Sequence, residues 1–285
     1  MASHCRKAGG DVGVLWGIEP PPPELVIDAG RVEAALVRFL RTEFARAGFR
    51  RAVLGLSGGI DSATVAGLAA RALGRRNVTA FFLPCRASDP ASLADARLVA
   101  RTFGILAVTV DITPAIDFYF RRFRDADRRR RGNKMARERM AVLFDQARAR
   151  KALVLGTSNR TEILLGYGTV YGDTACSLNP IGNLYKTQLC QLAAHLGVPE
   201  RVRFKHPTAD LWTGQTDEGE LGFSYAAADR LLCHLVDRGL PRKALLRKGF
   251  SAAFVARVVA RIRGNEFKRR MPLVAKLPGS VPRPG

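Results

Sequence analysis

The chain has 285 residues, 47% of them apolar, enough for one large domain or two small ones around a buried core. Its formal net charge of +21 suits polyanionic partners, nucleic acid or phosphorylated metabolites, and equally a solvated arginine-rich surface. No apolar run of about 18 residues is present, which excludes a helical membrane span, and five scattered cysteines without a C-x-x-C pair argue against a zinc site or disulfide framework and for a reducing cytoplasm.

In chain order, residues 1–30 read as a flexible leader. They carry no signal-peptide core, two adjacent glycines at 9 and 10, and prolines at 20–23. Residues 31–47 space Val32, Leu36, Phe39, Leu40 and Phe44 as one face of a helix. Residues 52–56 form a short apolar strand, 61–73 an Ala-rich helix ended by Gly74, and 77–83 a second strand stopped by Pro84. A helix follows over 89–102, with Asp89 as N-cap and Pro90 at the first position. Residues 105–110 read as a third strand, 114–124 as a helix and "RDADRRRRGN" as a polar loop. A long helix over 133–150 and a fourth strand over 152–155 come next. Further helices are expected over 187–196, 224–236 and 251–263. Strands alternating with helices predict an α/β fold, a doubly wound parallel sheet with helices on both faces and short buried strands. Ligands of such a sheet bind beyond the carboxyl ends of its strands.

The stretch "GLSGGIDSAT" follows the first strand. It fits the G-x-S-x-G elbow that presents a nucleophilic serine, and also a phosphate cradle at a helix start. Gly58 and Gly59 permit a tight turn, and Ser57, Ser62 and Thr64 add hydroxyls. Asp61 stands where a Walker loop places lysine. A carboxylate beside phosphates is repulsive unless a cation lies between, so Mg²⁺ bridging Asp61 and the phosphates is inferred. The elbow reading leaves Asp61 and Ser62 unexplained, and none of the four histidines lies in a glycine-rich loop near the chain end.

Four later blocks carry further polar residues. "LVLGTSNRTEILLGYGTVYGD" follows the fourth strand and holds Thr157 and Glu162. Glu162 is either a second Mg²⁺ ligand or an acid favoured by the first turn of a helix. "NPIGNLYKTQ" sets Lys186 at a helix start, a position unfavourable for the helix dipole unless an anionic ligand lies there. "KHPTADLWTGQTDEGELGFSY" has the composition of a lid. "GNEFKRRMP" is a basic cluster after the last helix.

The SGGIDS loop resembles that of the N-type ATP pyrophosphatases, and the blocks together resemble ammonia-dependent NAD synthetase, over about residues 31–272. The resemblance implies an adenine nucleotide alpha hydrolase-like fold in one domain over 31–272, with a tail over 273–285. It implies ATP contacts from Ser57, Gly58, Gly59, Ile60, Asp61, Ser62, Ala63 and Thr64, and from Leu83, Thr157, Lys186 and Thr208. It implies Mg²⁺ on Asp61 and Glu162, and deamido-NAD contacts from Arg137, Phe267 and Lys268. Many members have His where Phe267 stands. They have Lys before "YGD" and Asp four residues after it, where this chain has Val170 and Ser177.

The implied reaction is ATP- and Mg²⁺-dependent amidation of deamido-NAD by ammonia through an adenylated carboxylate, giving NAD, AMP and pyrophosphate. Asp61, Lys186 and Asp173 are the implied catalytic residues, the last for the incoming ammonia. Glutamine-dependent members carry an added amidase domain; the 30 residues ahead of Arg31 are too few to fold one. A homodimer is implied as well, and no nucleic acid. The rival reading is a tRNA-modifying ATP pyrophosphatase, favoured by the charge and by "RRFRDADRRRRGN". No appended RNA-binding segment or thiolase cysteine pair supports it.

Overall fold

The computed structural model describes residues 21–212, 214–270 and 274–275. Four parallel strands, β1 (Arg51–Gly55), β2 (Val78–Phe82), β3 (Leu106–Thr109) and β4 (Ala152–Val154), lie in the order β3-β2-β1-β4. Val53 of β1 pairs with Thr79 on one side and Val154 on the other. Chain order therefore reverses between β1 and β4, which makes the crevice above their carboxyl ends the expected ligand site.

Twelve helices are described: α1 (Ala29–Arg46), α2 (Ile60–Leu73), α3 (Pro90–Phe103), α4 (Thr113–Phe120), α5 (Arg128–Arg150), α6 (Arg160–Leu165), α7 (Lys186–Leu196), α8 (Glu200–Arg203), α9 (Asp217–Leu221), α10 (Tyr225–Leu232), α11 (Arg242–Arg247) and α12 (Ala252–Gly264). Side chains alternate along the strands, so β1, β2 and β4 feed two cores. Leu54, Ala80 and Phe82 pack with α1, α2, α3 and α7. Val53, Phe81 and Val154 pack with Ile116 and Phe120 of α4 and Met140 and Leu143 of α5. The small residues of α2 let it lie close on the sheet and on α3: a Cβ at Gly67 would stand 2.8 Å from the Phe103 ring. A third core gathers Leu25, Leu165, Tyr225, Leu231, Leu245 and Val258. Among the described residues no helix is long and apolar enough to cross a membrane.

Several elements depart from the sequence reading. Of the leader over 1–30, residues 1–20 lie outside the described residues, but Leu25 is fully buried and Glu24 holds Arg230 at 3.2 Å and His234 at 3.1 Å. The tail over 273–285 lies almost wholly outside the described residues, as do Met271, Pro272 and Thr213. The helix expected over 114–124 ends at Phe120, and α5 starts at Arg128, with Asp127 capping it through Arg130 N at 2.7 Å. More than half of the expected polar loop, residues 128–133, is thus helix. Its arginines stack on aromatic rings: Arg130 on Phe123, Arg131 on Phe120 and Arg128 on Trp212, at 4.6–5.3 Å from the ring centroids. The edge strand β3 is not buried, and Leu106 is 59% exposed. The helix expected over 224–236 starts one residue later, capped by Ser224, and passes at Cys233–Asp237 into a π-helical turn.

Candidate active site

The loop after β1 is shaped by Gly58 at φ +82°, where a Cβ would come within 2.3 Å of the Ser92 carbonyl of α3. Only glycine fits both constraints. Ser57 Oγ accepts from Gly59 N at 3.3 Å and lies 3.2 Å from Ser62 Oγ, which donates to the Gly59 carbonyl at 3.1 Å. No histidine among the described residues bonds Ser57: His195 pairs with Glu33 and His234 with Glu24. The serine is a brace of the loop, not a nucleophile with a base. Gly59 caps α2 without a side chain, so the first N–H groups of α2 face the crevice as an anion site.

Asp61, in the first turn of α2, is half-buried. Its Oδ1 accepts from Asn159 Nδ2 at 2.8 Å and its Oδ2 bonds Lys186 Nζ. Asn159 is also the N-cap of α6. It accepts from Glu162 N at 3.0 Å, while its own N–H donates to Glu162 Oε2 at 3.2 Å, completing a capping box. One asparagine thus fixes two carboxylates. Lys186 Nζ lies 3.7 Å from Glu162 Oε1, and the Lys186 side chain is 2% exposed. Burial and the neighbouring Asp61 charge raise the Glu162 carboxyl well above its ordinary pKa. The Asp61 and Glu162 carboxylates outweigh desolvation at Lys186 and hold its ammonium charged.

Asp229, fully buried, accepts from Thr161 Oγ1 and from both the N–H and Oγ1 of Thr187, the last two at 2.7 Å. It pins α6 to the start of α7, which sets Glu162 beside Lys186. Burial raises the Asp229 carboxyl to about 6. Lys186 at a helix start is therefore balanced by the protein's own carboxylates, a correction to the expectation that an anionic ligand alone would explain it.

Above this cluster, Asp217 accepts from Tyr167 OH at 2.9 Å and Tyr225 OH at 3.0 Å. Burial pushes the Asp217 carboxyl up. The segment from Lys205 to Glu220 walls a cavity of about 810 Å³ that also meets the loop, Leu83, Thr157, Asp173 and Lys268. The volume is at the upper end of small-molecule sites. Gly132 of α5 lets this segment close in: a Cβ there would lie 3.1 Å from Leu211 and 3.3 Å from Trp212.

Ser57, Gly59, Ile60, Asp61, Ser62, Leu83, Thr157, Glu162, Asp173, Lys186, Thr208 and Lys268 all line this cavity. Other expected residues do not. Gly58 turns the loop behind it. Ala63 and Thr64 are buried beneath it, with Thr64 Oγ1 donating to the Ile60 carbonyl at 2.7 Å. Arg137 is exposed and donates to the Val170 carbonyl at 3.1 Å, and Phe267 is 58% exposed. The Leu83 carbonyl already accepts from Arg139 Nε at 3.1 Å. Lys268 Nζ donates to the carbonyls of Gly166 at 2.7 Å and Gly168 at 2.9 Å. Asp173 Oδ1 accepts from Thr169 N at 2.8 Å, and desolvation raises its carboxyl although the residue is exposed to the cavity. Ser177 Oγ accepts from Val154 N at 3.2 Å, a strand-end contact.

Sequence reasoning assigned no role to Asn159, Asp217, Tyr225, Asp229 or Arg139. Asn159 had a signal, the N-x-x-E capping pattern. Asp217 and Tyr225 lie in the block singled out at 205–225 without individual roles, while Asp229 and Arg139 act through contacts between distant segments and left no signal.

A parallel sheet whose order reverses beside an SGGIDS loop, with two carboxylates and a lysine at its edge, defines an α/β fold of the nucleotide alpha-hydrolase type. The chain belongs to the NAD synthase family, whose sequence profile matches residues 32–272. It is 54% identical to the NH(3)-dependent NAD(+) synthetase of Trichlorobacter lovleyi, over 90% of this chain and 93% of that one. It is 49% identical to the enzyme of the same name from Fusobacterium nucleatum, over 89% and 98%. Among solved structures, the NH3-dependent NAD synthetase of Campylobacter jejuni aligns at TM-score 0.76 and 33% identity, over 88% of this chain and all of that one. The NMN synthetase of Francisella tularensis aligns at 0.79 and 31%, with the same coverage.

Proposed function

We propose that this enzyme amidates deamido-NAD with ammonia, cleaving ATP to AMP and pyrophosphate. The observation that carries the reading is the Asp61–Asn159–Glu162–Lys186 cluster beside the phosphate loop, in a chain matched by NH(3)-dependent NAD(+) synthetases over most of its length. Ammonia cannot displace oxide from a carboxylate. Attack of the nicotinate carboxylate on the α-phosphorus releases pyrophosphate and leaves a mixed anhydride. Ammonia then attacks its carbonyl and AMP departs.

The uncapped start of α2, with Gly59, Ile60, Ser57 and Ser62, holds the departing pyrophosphate. Leu83, Thr157 and Thr208 contact the ATP. Lys186 carries positive charge to the phosphates. The raised carboxyl of Asp173 is a stronger base than an ordinary aspartate, suited to orient ammonia and take its proton. Mg²⁺ is the cation this reading requires. Asp61 and Glu162 fit it, since both are hard oxygen donors converging on one cationic group, Lys186. No set of three or more His, Cys, Asp or Glu side chains among the described residues stands ready for a metal, so phosphate and water oxygens would complete the shell. When bound, the ion supplies Lewis-acid stabilisation of the leaving group.

Arg137 is exposed and does not line the cavity of its own chain, which fits a homodimer with the dinucleotide near the subunit boundary. The four cysteines among the described residues, Cys85, Cys176, Cys190 and Cys233, are free, which fits a reducing cytoplasm. The tRNA-modifying reading is not favoured. The test is an assay with ATP, Mg²⁺, deamido-NAD and either ammonia or glutamine. NAD, AMP and pyrophosphate should form with ammonia, and Asp61→Asn should lower turnover by about a hundredfold or more. Absence of NAD with ammonia overturns the reading.

A further inference from the structure

Six Lys and Arg side chains line the cavity: Arg129, Arg139, Lys186, Lys205, Arg261 and Lys268. Four are engaged by the protein. Arg139 donates to the Leu83 carbonyl and to Ser88 Oγ. Lys186 faces Asp61 and Glu162. Lys205 donates to Ser92 Oγ and Asp95 Oδ2, both at 3.0 Å. Lys268 clamps the Gly166 and Gly168 carbonyls.

Arg129 and Arg261 differ. Among the described residues neither guanidinium has a hydrogen bond or an ion pair. Arg261, in the last turn of α12, stands 6.0 Å from the Tyr167 ring centroid, and its Nε is buried without an acceptor. Glu220, which lines the same wall, is engaged by Tyr167 OH and Gln215 Nε2. Arg129 comes from the first turn of α5 and is exposed to the cavity. Burial lowers the Lys268 pKa, and the nearby charges of Arg261 and Arg129 lower it further. A desolvated guanidinium without an acceptor is costly unless an anion completes it.

We infer that Arg261 and Arg129 form an anion subsite for the phosphate of the nucleotide that carries the carboxylate to be amidated. This rests on the proposed function. ATP already has its phosphate cradle at Ser57–Ser62, on other elements. The paired guanidiniums offer planar forks that match the two singly charged phosphates of a dinucleotide.

The test is steady-state kinetics of Arg261→Gln and Arg129→Gln, with deamido-NAD and ATP varied separately. The KM for deamido-NAD should rise about tenfold or more in each variant, as expected for loss of a charged hydrogen bond, with the KM for ATP and the melting temperature unchanged. Arg261→Lys should recover part of the loss. A rise confined to the KM for ATP overturns the assignment, and so does no change in either KM. If Arg261→Gln does not fold, Arg129→Gln and Arg261→Lys carry the same expectation. If the wild type forms no NAD, the proposed function fails, and calorimetry then judges the subsite. Deamido-NAD binding at least tenfold weaker in Arg129→Gln sustains it, and equal binding overturns it.

Discussion

Asp229 touches no part of the cavity, yet the positions of Glu162 and Lys186 follow from it. Its three donors, Thr161 Oγ1 and the N–H and Oγ1 of Thr187, belong to the first turns of α6 and α7. Because burial lifts its pKa to about 6 from the ordinary 3.8, the folded chain binds a proton there that the unfolded chain releases between those values. The contribution of this group to stability is therefore greatest below about pH 4 and falls as pH rises through 6. Urea midpoints measured from pH 4 to 7 should decline less steeply in Asp229→Asn than in the wild type. Equal slopes would refute the assignment. Nothing in the sequence near residue 229 announces this role, since its partners lie 42 and 68 residues away. Asn159 was legible in principle, because a capping box is local.

At the level of elements, apolar patterning placed β1, β2, β4 and the flanking helices because each buries an apolar face, and it placed the edge strand β3 although that strand is largely exposed. It failed at 121–133, where the four arginines between Arg124 and Asn133 read as solvent. The ring contacts of Arg128, Arg130 and Arg131 show why a helix forms there nonetheless: the side chains cover Trp212, Phe123 and Phe120. This first turn of α5 is also the floor on which the segment 205–220 rests, at Gly132. Gly132→Val should push Leu211 and Trp212 outward, since its Cβ would enter at 3.1–3.3 Å. The expected result is a KM for ATP raised several-fold with the fold retained, read by kinetics beside a melting curve. An unchanged KM would show that the segment does not close on the nucleotide.

For the molecule as a whole, the phosphate loop could be read from six consecutive residues, whereas the cavity could not. Its walls come from residues as distant as Gly55 and Lys268 and depend on the reversal of strand order between β1 and β4. That reversal also explains why Asp61 and Glu162, 101 positions apart, share one lysine. The architecture makes one chemical claim: the loop and the acid pair serve transfer of adenylate to a carboxylate, which ammonia then displaces. The most direct measurement uses deamido-NAD labelled with ¹⁸O in its nicotinate carboxylate, with ATP, Mg²⁺ and ammonia, and mass analysis of the AMP. The account predicts one ¹⁸O atom in AMP for each NAD formed. Unlabelled AMP, or label in the pyrophosphate, would contradict it.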